Sequence, residues 1–197
     1  MGKPKLLIIA GANGSGKTSI TSKILKHDWI ESCVYINPDD IARDIFGDWN
    51  SPEAVMKAAV YASELREKCL EERKSLLFET VLSAPDKLEF ISKAYEAGYF
   101  IRLFFVGTDH PSINAARIAR RVMEGGHDVP ITKIISRYAK SIANCSQAGR
   151  FADRMYVYDN SIDDAFPKLL FRSTSGKIEK VYTNINSWAE PIYNTLL

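Results

Sequence analysis

Short apolar runs alternate along the chain with longer segments of helical period. The apolar run at 6–10, rich in leucine and isoleucine, predicts a strand buried on both faces. A helix is predicted over 17–26, and further strands are predicted over 33–36, 75–78, 99–106 and 155–158. Because strands alternate with helices, we expect βαβ units, and therefore an α/β fold with a mainly parallel, five-stranded sheet flanked by helices.

Helix-starting signals define the segments between the strands. Ser51 and Pro52 predict the start of a helix that runs to about residue 73. Its expected core-facing stripe is Val55, Ala59, Ala62, Leu65, Cys69 and Leu70. Helices are also predicted over 85–97, 111–124 and 131–146, followed by a β-hairpin over 170–182 and a short terminal helix over 187–194. We therefore predict one domain over 1–197, with a core of about 1–165 and a C-terminal hairpin and helix over 166–197.

Composition narrows the class of protein. The 197 residues are 46% hydrophobic and 25% charged, as in ordinary globular proteins. The apolar run at 6–10 is too short to cross a membrane and lacks a signal-peptide pattern, so we expect a cytoplasmic protein. The chain has 26 Lys and Arg and 24 Asp and Glu, so its net charge is +2. Proteins that bind nucleic acids usually carry a larger positive charge, so this value does not favour that function. An anionic small molecule remains compatible with it, because such a ligand needs only a local cluster of cations.

A glycine-rich loop lies between the first strand and the first helix. It matches the phosphate-loop pattern G-x-x-x-x-G-K-[ST] with Gly11, Ala12, Asn13, Gly14, Ser15, Gly16, Lys17 and Thr18. Such a loop turns backbone N–H groups toward anionic oxygens, and the helix adds its positive end. Lys17 can reach the β- and γ-phosphates, and Thr18 offers a hydroxyl to Mg²⁺. We include Ser19, the next residue, among the nucleotide-binding residues.

Other sequence features favour one class of phosphate-loop protein. The chain lacks the N-K-x-D pattern of GTPases, and its third strand ends in Phe78-Glu79-Thr80 rather than in paired acids. The small size favours a P-loop kinase fold that uses ATP on a small molecule. Two alternatives stay open: a kinase of another acceptor, such as a nucleoside, a polynucleotide end or an antibiotic, and a nucleotide-dependent switch protein that a partner recognises.

Carboxylates follow the second and third strands. Phosphorylation of a hydroxyl needs a carboxylate that orients it and accepts its proton. Asp39 and Asp40 both qualify, and we assign Asp39, with Thr18, to the metal. The alternative is that one of these acids only caps the helix expected over 41–46. Asp40, Glu79 and Thr80 are candidate substrate contacts, although Glu79 could be a loop carboxylate exposed to water.

A local positive cluster occurs in the second half of the chain. Arg117, Arg120 and Arg121 share a face of one predicted helix, and Lys133 and Arg137 follow. Arginines stabilise the charge of a phosphoryl group in transfer, so this helix and the following Gly-Gly loop suggest a lid over ATP. A solvated helix face is the alternative. His127 in that loop is a candidate substrate contact, or simply a loop residue.

Together these motifs resemble the zeta-toxin family of P-loop kinases. The resemblance covers most of the chain to about residue 161 and rests on the phosphate loop, I-N-P-D-D at 36–40, F-E-T at 78–80, the arginines of 117–121, G-G-H-D-V-P at 125–130 and Y-D-N-S at 158–161. The combination is far more specific than the phosphate loop alone.

The resemblance implies roles for several of these residues. It implies that Asp39 accepts the proton, that Glu79 contacts the substrate, and that lid arginines clamp the γ-phosphate, leaving open which arginine takes which role. It also implies transfer from ATP to a hydroxyl of a UDP-sugar such as UDP-N-acetylglucosamine, and a neutralising antitoxin protein as partner.

Overall fold

The computed structural model describes residues 2–47, 50–126 and 128–197, and a single sheet organises them. Its strands are β1 (Lys5–Ala10), β2 (Val34–Ile36), β3 (Leu76–Thr80), β4 (Phe100–Gly107), β5 (Arg154–Asp159), β6 (Lys168–Thr174) and β7 (Lys177–Val181). The order across the sheet is β2-β3-β1-β4-β5-β6-β7. The strands from β2 to β5 in this order pair in parallel, whereas β6 and β7 pair antiparallel. The mainly parallel α/β sheet is thus confirmed, and the hairpin extends the five expected strands to seven.

Helices connect the strands as the sequence predicts. They are α1 (Lys17–Ile24), α2 (Pro38–Asp44), α3 (Pro52–Glu71), α4 (Pro85–Glu96), α5 (Pro111–Met123), α6 (Ile131–Ala148) and α7 (Glu190–Thr195), with short 3₁₀ turns at Asp28–Ile30 and Ser187–Ala189. Ser51 caps α3 by accepting a hydrogen bond from the Ala54 N–H. None of the helices in the described part of the chain is both long and apolar enough to span a membrane.

Apolar side chains cover both faces of the central strands. Leu6 and Ile8 of β1 belong to the main core, which α3, α4, α6 and α7 cover. Leu7 and Ile9 belong to a smaller core under α1 on the opposite face. Burial on both faces explains why β1 is a continuous apolar run rather than an alternating one.

The buried stripe of α3 differs from the expected one. Val55 and Ala59 are exposed, whereas the buried residues are Ala54, Ala58, Ala62, Arg66 and Cys69. The helix is therefore rotated so that small alanines at a spacing of four face its neighbours. Ala62 and Cys69 of the expected stripe are buried, and its two leucines, Leu65 and Leu70, are partly buried and pack against the main core.

Candidate functional site

The phosphate loop connects β1 to α1 and packs closely against two other segments. A Cβ atom at Gly16 would lie 2.1 Å from the Asn160 Nδ2, and one at Gly14 would lie 2.5 Å from the Asn114 carbonyl oxygen. Both glycines also have positive φ angles, of 91° and 76°. Glycine is therefore required at these positions for space and for backbone conformation.

Side chains far away in sequence hold the loop in place. The Asn160 Nδ2 donates to the Ser15 carbonyl at 2.8 Å, and the Asn114 Nδ2 donates to the Asn13 carbonyl at 2.7 Å. Arg137 donates from Nη1 to the Asn13 Oδ1 at 3.2 Å. We did not predict these roles from the sequence. Asn160 lies in one of the motifs that carry the family resemblance, whereas Asn114 stands in an ordinary helical segment that gives no such signal.

Lys17 lies against the loop that precedes it. Its Nζ donates to the carbonyls of Gly11 at 3.0 Å and Ala12 at 3.4 Å. Burial lowers the pKa of Lys17, and the nearby carboxylates of Glu79 and Asp39 oppose that shift. The ammonium group is therefore placed where anionic oxygens would stabilise its charge.

A cleft of about 250 Å³ opens between the phosphate loop and the carboxylates. Its lining consists of Asn13, Gly14, Gly16, Lys17, Thr18, Asn37, Asp39, Glu79, Arg117, Ile118 and Arg121. The structure thus brings together residues from four of the candidate groups, namely the phosphate loop, the start of α2, the end of β3 and α5. This is the edge formed by the carboxyl ends of the parallel strands, where such sheets bind ligands.

The two aspartates after β2 have different surroundings. α2 begins at Pro38, and its N-cap is Asn37, whose Oδ1 accepts from the Asp39 N–H at 3.0 Å. The alternative that Asp39 or Asp40 caps the helix is therefore wrong, because proline favours the first helical position and makes the residue before it, Asn37, the cap. Asp39 lines the cleft, whereas Asp40 forms an ion pair with Arg43 at 3.1 Å.

Glu79 lies within β3 and is half-buried, so it is not a water-exposed loop carboxylate. Its Oε1 accepts hydrogen bonds from the Tyr35 hydroxyl at 2.7 Å, the Thr21 hydroxyl at 2.9 Å and the Asn37 Nδ2 at 3.5 Å. Burial and the bond to Glu79 raise the pKa of Tyr35, so the phenol stays a donor. The carboxylate is held in one orientation at the cleft wall.

Two other candidate substrate contacts are placed differently. Thr80 is buried, and its hydroxyl accepts from the Leu82 N–H at 2.9 Å, which supports the turn after β3. Thr80 is not among the described residues that line the cleft. His127 lies outside the described residues.

The three arginines of α5 do not share one environment. Arg117 and Arg121 line the cleft. Arg117 donates from Nε to the Asp163 Oδ1 at 2.7 Å, and only 18% of its side chain is exposed. The Arg120 side chain is 61% exposed, and its Nη2 lies 3.8 Å from the other Asp163 oxygen. Arg120 lines a second hollow of about 300 Å³, together with Gly16 and Ser19 of the phosphate-loop region.

The donors at the cleft suit a magnesium ion. Within the described ranges, no three His, Cys, Asp or Glu side chains form a metal-binding cluster. Thr18 and Asp39 nevertheless present a hydroxyl and a carboxylate to the same cleft. Mg²⁺ prefers oxygen ligands and usually binds through one or two protein groups, phosphates and water. The residues present therefore fit Mg²⁺ bound together with nucleotide phosphates.

Comparisons with known proteins agree with this geometry. A family model described as "Zeta toxin" matches residues 1–163. An uncharacterised protein from Haemophilus influenzae is 29% identical over 134 residues, which are 68% of this chain and 92% of that protein.

Two solved structures show the same fold. A structure from a study of the PezAT chromosomal toxin–antitoxin system of Streptococcus pneumoniae has a TM-score of 0.64 and 16% identity, covering 100% of this chain and 79% of that one. The AvrRxo1-ORF1:-ORF2 complex with ATP has a TM-score of 0.69 and 16% identity, covering 98% of this chain. This chain spans 63% of the length of that protein.

Proposed function

The chain belongs to the zeta toxin family, and from that premise we propose that it transfers the γ-phosphoryl group of ATP to a hydroxyl of a UDP-amino sugar, such as UDP-N-acetylglucosamine. One observation carries the proposal: the phosphate loop and the carboxylates of Asp39 and Glu79 line a single cleft. A phosphate site alone would suit any nucleotide-binding protein. Carboxylates facing it are what a phosphotransferase needs for its acceptor.

ATP binds with its phosphates on the phosphate loop. The loop N–H groups and the N-terminal end of α1 receive the phosphate oxygens, and Lys17 exchanges its carbonyl partners for the β- and γ-phosphates. The Thr18 hydroxyl and the Asp39 carboxylate would hold Mg²⁺, which would neutralise phosphate charge. The structure of the AvrRxo1 relative with ATP supports this choice of nucleotide.

Asp39 receives the proton of the acceptor hydroxyl. As the acceptor oxygen forms its bond to the γ-phosphorus, the bond from that phosphorus to the bridging oxygen breaks, and ADP leaves with that electron pair. The acceptor proton passes to the Asp39 carboxylate. Glu79, fixed by Tyr35 and Thr21, orients the acceptor by accepting a hydrogen bond from another of its hydroxyls.

Arg117 and Arg121 stabilise the charge on the phosphoryl group in transfer. Both line the cleft, on the side that faces the phosphate loop from α5. Guanidinium groups bind phosphoryl oxygens through paired hydrogen bonds, which makes them effective where charge spreads over several oxygens.

A third hollow beside the cleft supports an acceptor that carries phosphates. It has a volume of about 460 Å³, and its lining is Ser83, Ala84, Thr132, Lys133, Ser136, Arg137 and Lys140. Its three cations and three hydroxyls suit a diphosphate. Because Arg137 also bonds to Asn13 of the phosphate loop, this hollow adjoins the ATP site.

We further propose a protein partner that neutralises the kinase. The family assignment and the fold shared with a chain from the PezAT toxin–antitoxin study support such an antitoxin.

Incubation with γ-labelled ATP, Mg²⁺ and separate UDP-sugars, nucleosides and oligonucleotides tests the acceptor. We expect label transfer to a UDP-amino sugar, with little or none to the nucleosides and oligonucleotides. Failure with every UDP-sugar would reject this acceptor, and transfer to a different class would identify the alternative kinase. ATP binding without transfer to any acceptor would favour a nucleotide-dependent switch protein.

A further inference from the structure

A separate hollow lies at the opposite edge of the sheet from the phosphate loop. Its volume is about 270 Å³, and it is lined by Lys3, Lys5, Leu7, Trp29, Phe100 and Arg102. β1 runs from this hollow to the phosphate loop, and its six residues span about 20 Å. The hollow is therefore distinct from the kinase cleft, although both are built on β1.

Neighbouring strands build the wall of the hollow. Lys5 pairs with Phe100 and Leu7 pairs with Arg102 in the parallel register of β1 and β4. Alternate residues of a strand share a face, so these four side chains lie side by side on the α1 face of the sheet. Trp29, from the 3₁₀ turn after α1, completes the lining, and its carbonyl accepts from the Lys5 Nζ at 3.4 Å.

The chemistry of this lining is amphipathic and positive. The partly exposed rings of Trp29 and Phe100 supply apolar surface above the buried Leu7, whereas Lys3, Lys5 and Arg102 supply three cations. Among the described residues that line the hollow there is no carboxylate. Arg154, which pairs with Arg102 in the register of β4 and β5, forms an ion pair with Glu179 at 3.4 Å.

Arg102 has an unmet requirement for a hydrogen-bond acceptor. Its guanidinium carbon lies 3.7 Å from the centre of the Trp29 ring. Its Nε is buried and has no hydrogen-bond partner within the described ranges. Burial also lowers the pKa of Arg102, although the group stays charged at neutral pH. The buried Nε is out of reach of a ligand, so an anion in the hollow would pair with the guanidinium group at its Nη atoms.

We propose that this hollow is a second ligand site, which binds a small amphipathic anion. The apolar body of the ligand packs on Trp29 and Phe100, and its phosphate or carboxylate head lies among Arg102, Lys5 and Lys3. A single aromatic ring with one anionic group is about the size that the hollow accommodates.

Phenyl phosphate is a suitable probe for calorimetric titration. The titration uses the full chain with the phosphate loop saturated by a nonhydrolysable ATP analogue and Mg²⁺, so that binding at the loop does not contribute. We expect saturable binding to one site, with weaker binding of both inorganic phosphate and benzyl alcohol. Equal binding of inorganic phosphate would refute the apolar half of the proposal, and equal binding of benzyl alcohol would refute the anionic half. Benzoate in a parallel titration distinguishes a carboxylate head from a phosphate head.

Two substitutions locate the site. Arg102→Leu should weaken phenyl phosphate binding by about tenfold or more, as expected for the loss of a charge-assisted hydrogen bond. Lys3→Glu changes an exposed side chain, so the fold should tolerate it, and it should also weaken binding. Arg150→Leu, at an exposed arginine outside the hollow, is the matched control. Unchanged affinity in the Lys3 and Arg102 variants, or loss of binding when the ATP analogue is added, would overturn the proposal.

Discussion

Two asparagines outside the phosphate loop fix its backbone. Replacing Asn160 with Ala removes the 2.8 Å bond to the Ser15 carbonyl and leaves a buried acceptor without its donor. We predict that Asn160→Ala weakens ATP binding by about tenfold and lowers the free energy of unfolding by about 1–3 kcal/mol. Calorimetric titration and urea denaturation measure these effects.

Asn194 provides a matched control, because it is exposed on α7. Asn194→Ala should leave both quantities nearly unchanged. If Asn160→Ala behaves like the control, Asn160 does not hold the loop.

Lys17 makes ATP affinity depend on pH. Burial lowers its pKa below the ordinary value of 10.5 in the protein without ligand, whereas phosphate charge favours the protonated form. Between these two pKa values, binding takes up a proton. ATP affinity should therefore fall as pH rises toward 10.5, by up to about tenfold per pH unit.

Titrations of wild type and Lys17→Gln across pH 7–10 in the same buffers check this prediction. The variant should bind more weakly at pH 7 and show a flatter pH profile. Identical slopes in the two proteins would show that another group controls the pH dependence.

At the scale of single residues, local spacing predicted the groups that a motif defines. The glycines, Lys17, Asp39 and Glu79 were identified because each motif places them next to a strand end, and the structure gathers them in one cleft. Asn114 reaches the loop from 101 residues away. No local pattern encodes such a contact, since it depends on how α5 packs against the sheet.

α5 separates three arginines that its sequence groups together. Arg117 and Arg121 line the cleft, whereas Arg120 projects away and is mostly exposed. We predict that Arg117→Gln and Arg121→Gln each reduce the phosphotransfer rate by about tenfold or more. Arg120→Gln, the control on the same helix, should change it by less than about threefold, because exposed ion pairs contribute little.

Single-turnover transfer with saturating ATP measures the three variants. A large defect in Arg120→Gln, with normal rates in the other two, would reverse the assignment and imply that α5 rotates when ATP binds.

At the scale of elements, the sequence predicted which segments are helices and strands better than it predicted which face of a helix is buried or where a helix begins. The α3 stripe shows the limit, since helical period identified the helix whereas the buried face depended on which side chains let it approach its neighbours. The capping residue of α2 shows another. Asn37, Asp39 and Asp40 are all good capping residues, and the position of Pro38 selects Asn37.

For the whole molecule, the C-terminal segment is part of the main core. Leu170, Phe171, Ile192 and Leu196 are buried there, and the Trp188 Nε1 donates to the Asp159 Oδ1 at 3.0 Å beside the site loops. The sequence predicted the hairpin but not its position in the sheet, because its turn signals are local and its pairing with β5 is not.

Ile192→Ala should therefore destabilise the whole protein. Ile192 is fully buried, so the substitution should lower the free energy of unfolding by about 2–5 kcal/mol in urea denaturation. Leu197, which is 77% exposed, gives the control, and Leu197→Ala should cost less than about 0.5 kcal/mol. Equal, small effects would mean that the C-terminal segment does not support the core.

The structure also shows how the charges behind the net value of +2 are distributed. It averages over cations beside the phosphate loop and carboxylates opposite them. Although the protein is nearly neutral, its cleft has cations on one side and carboxylates on the other. This arrangement suits a phosphate donor beside the cations and a hydroxyl acceptor beside the carboxylates.

Phosphotransfer by Asp39→Asn, measured together with its ATP affinity, tests the central claim most directly. The substitution keeps the size of the side chain and removes the proton acceptor. We predict that transfer falls by about a hundredfold or more, that ATP affinity measured without Mg²⁺ changes by less than about threefold, and that Asp40→Asn retains nearly full activity. Undiminished transfer by Asp39→Asn, or loss of activity in Asp40→Asn alone, would contradict the account.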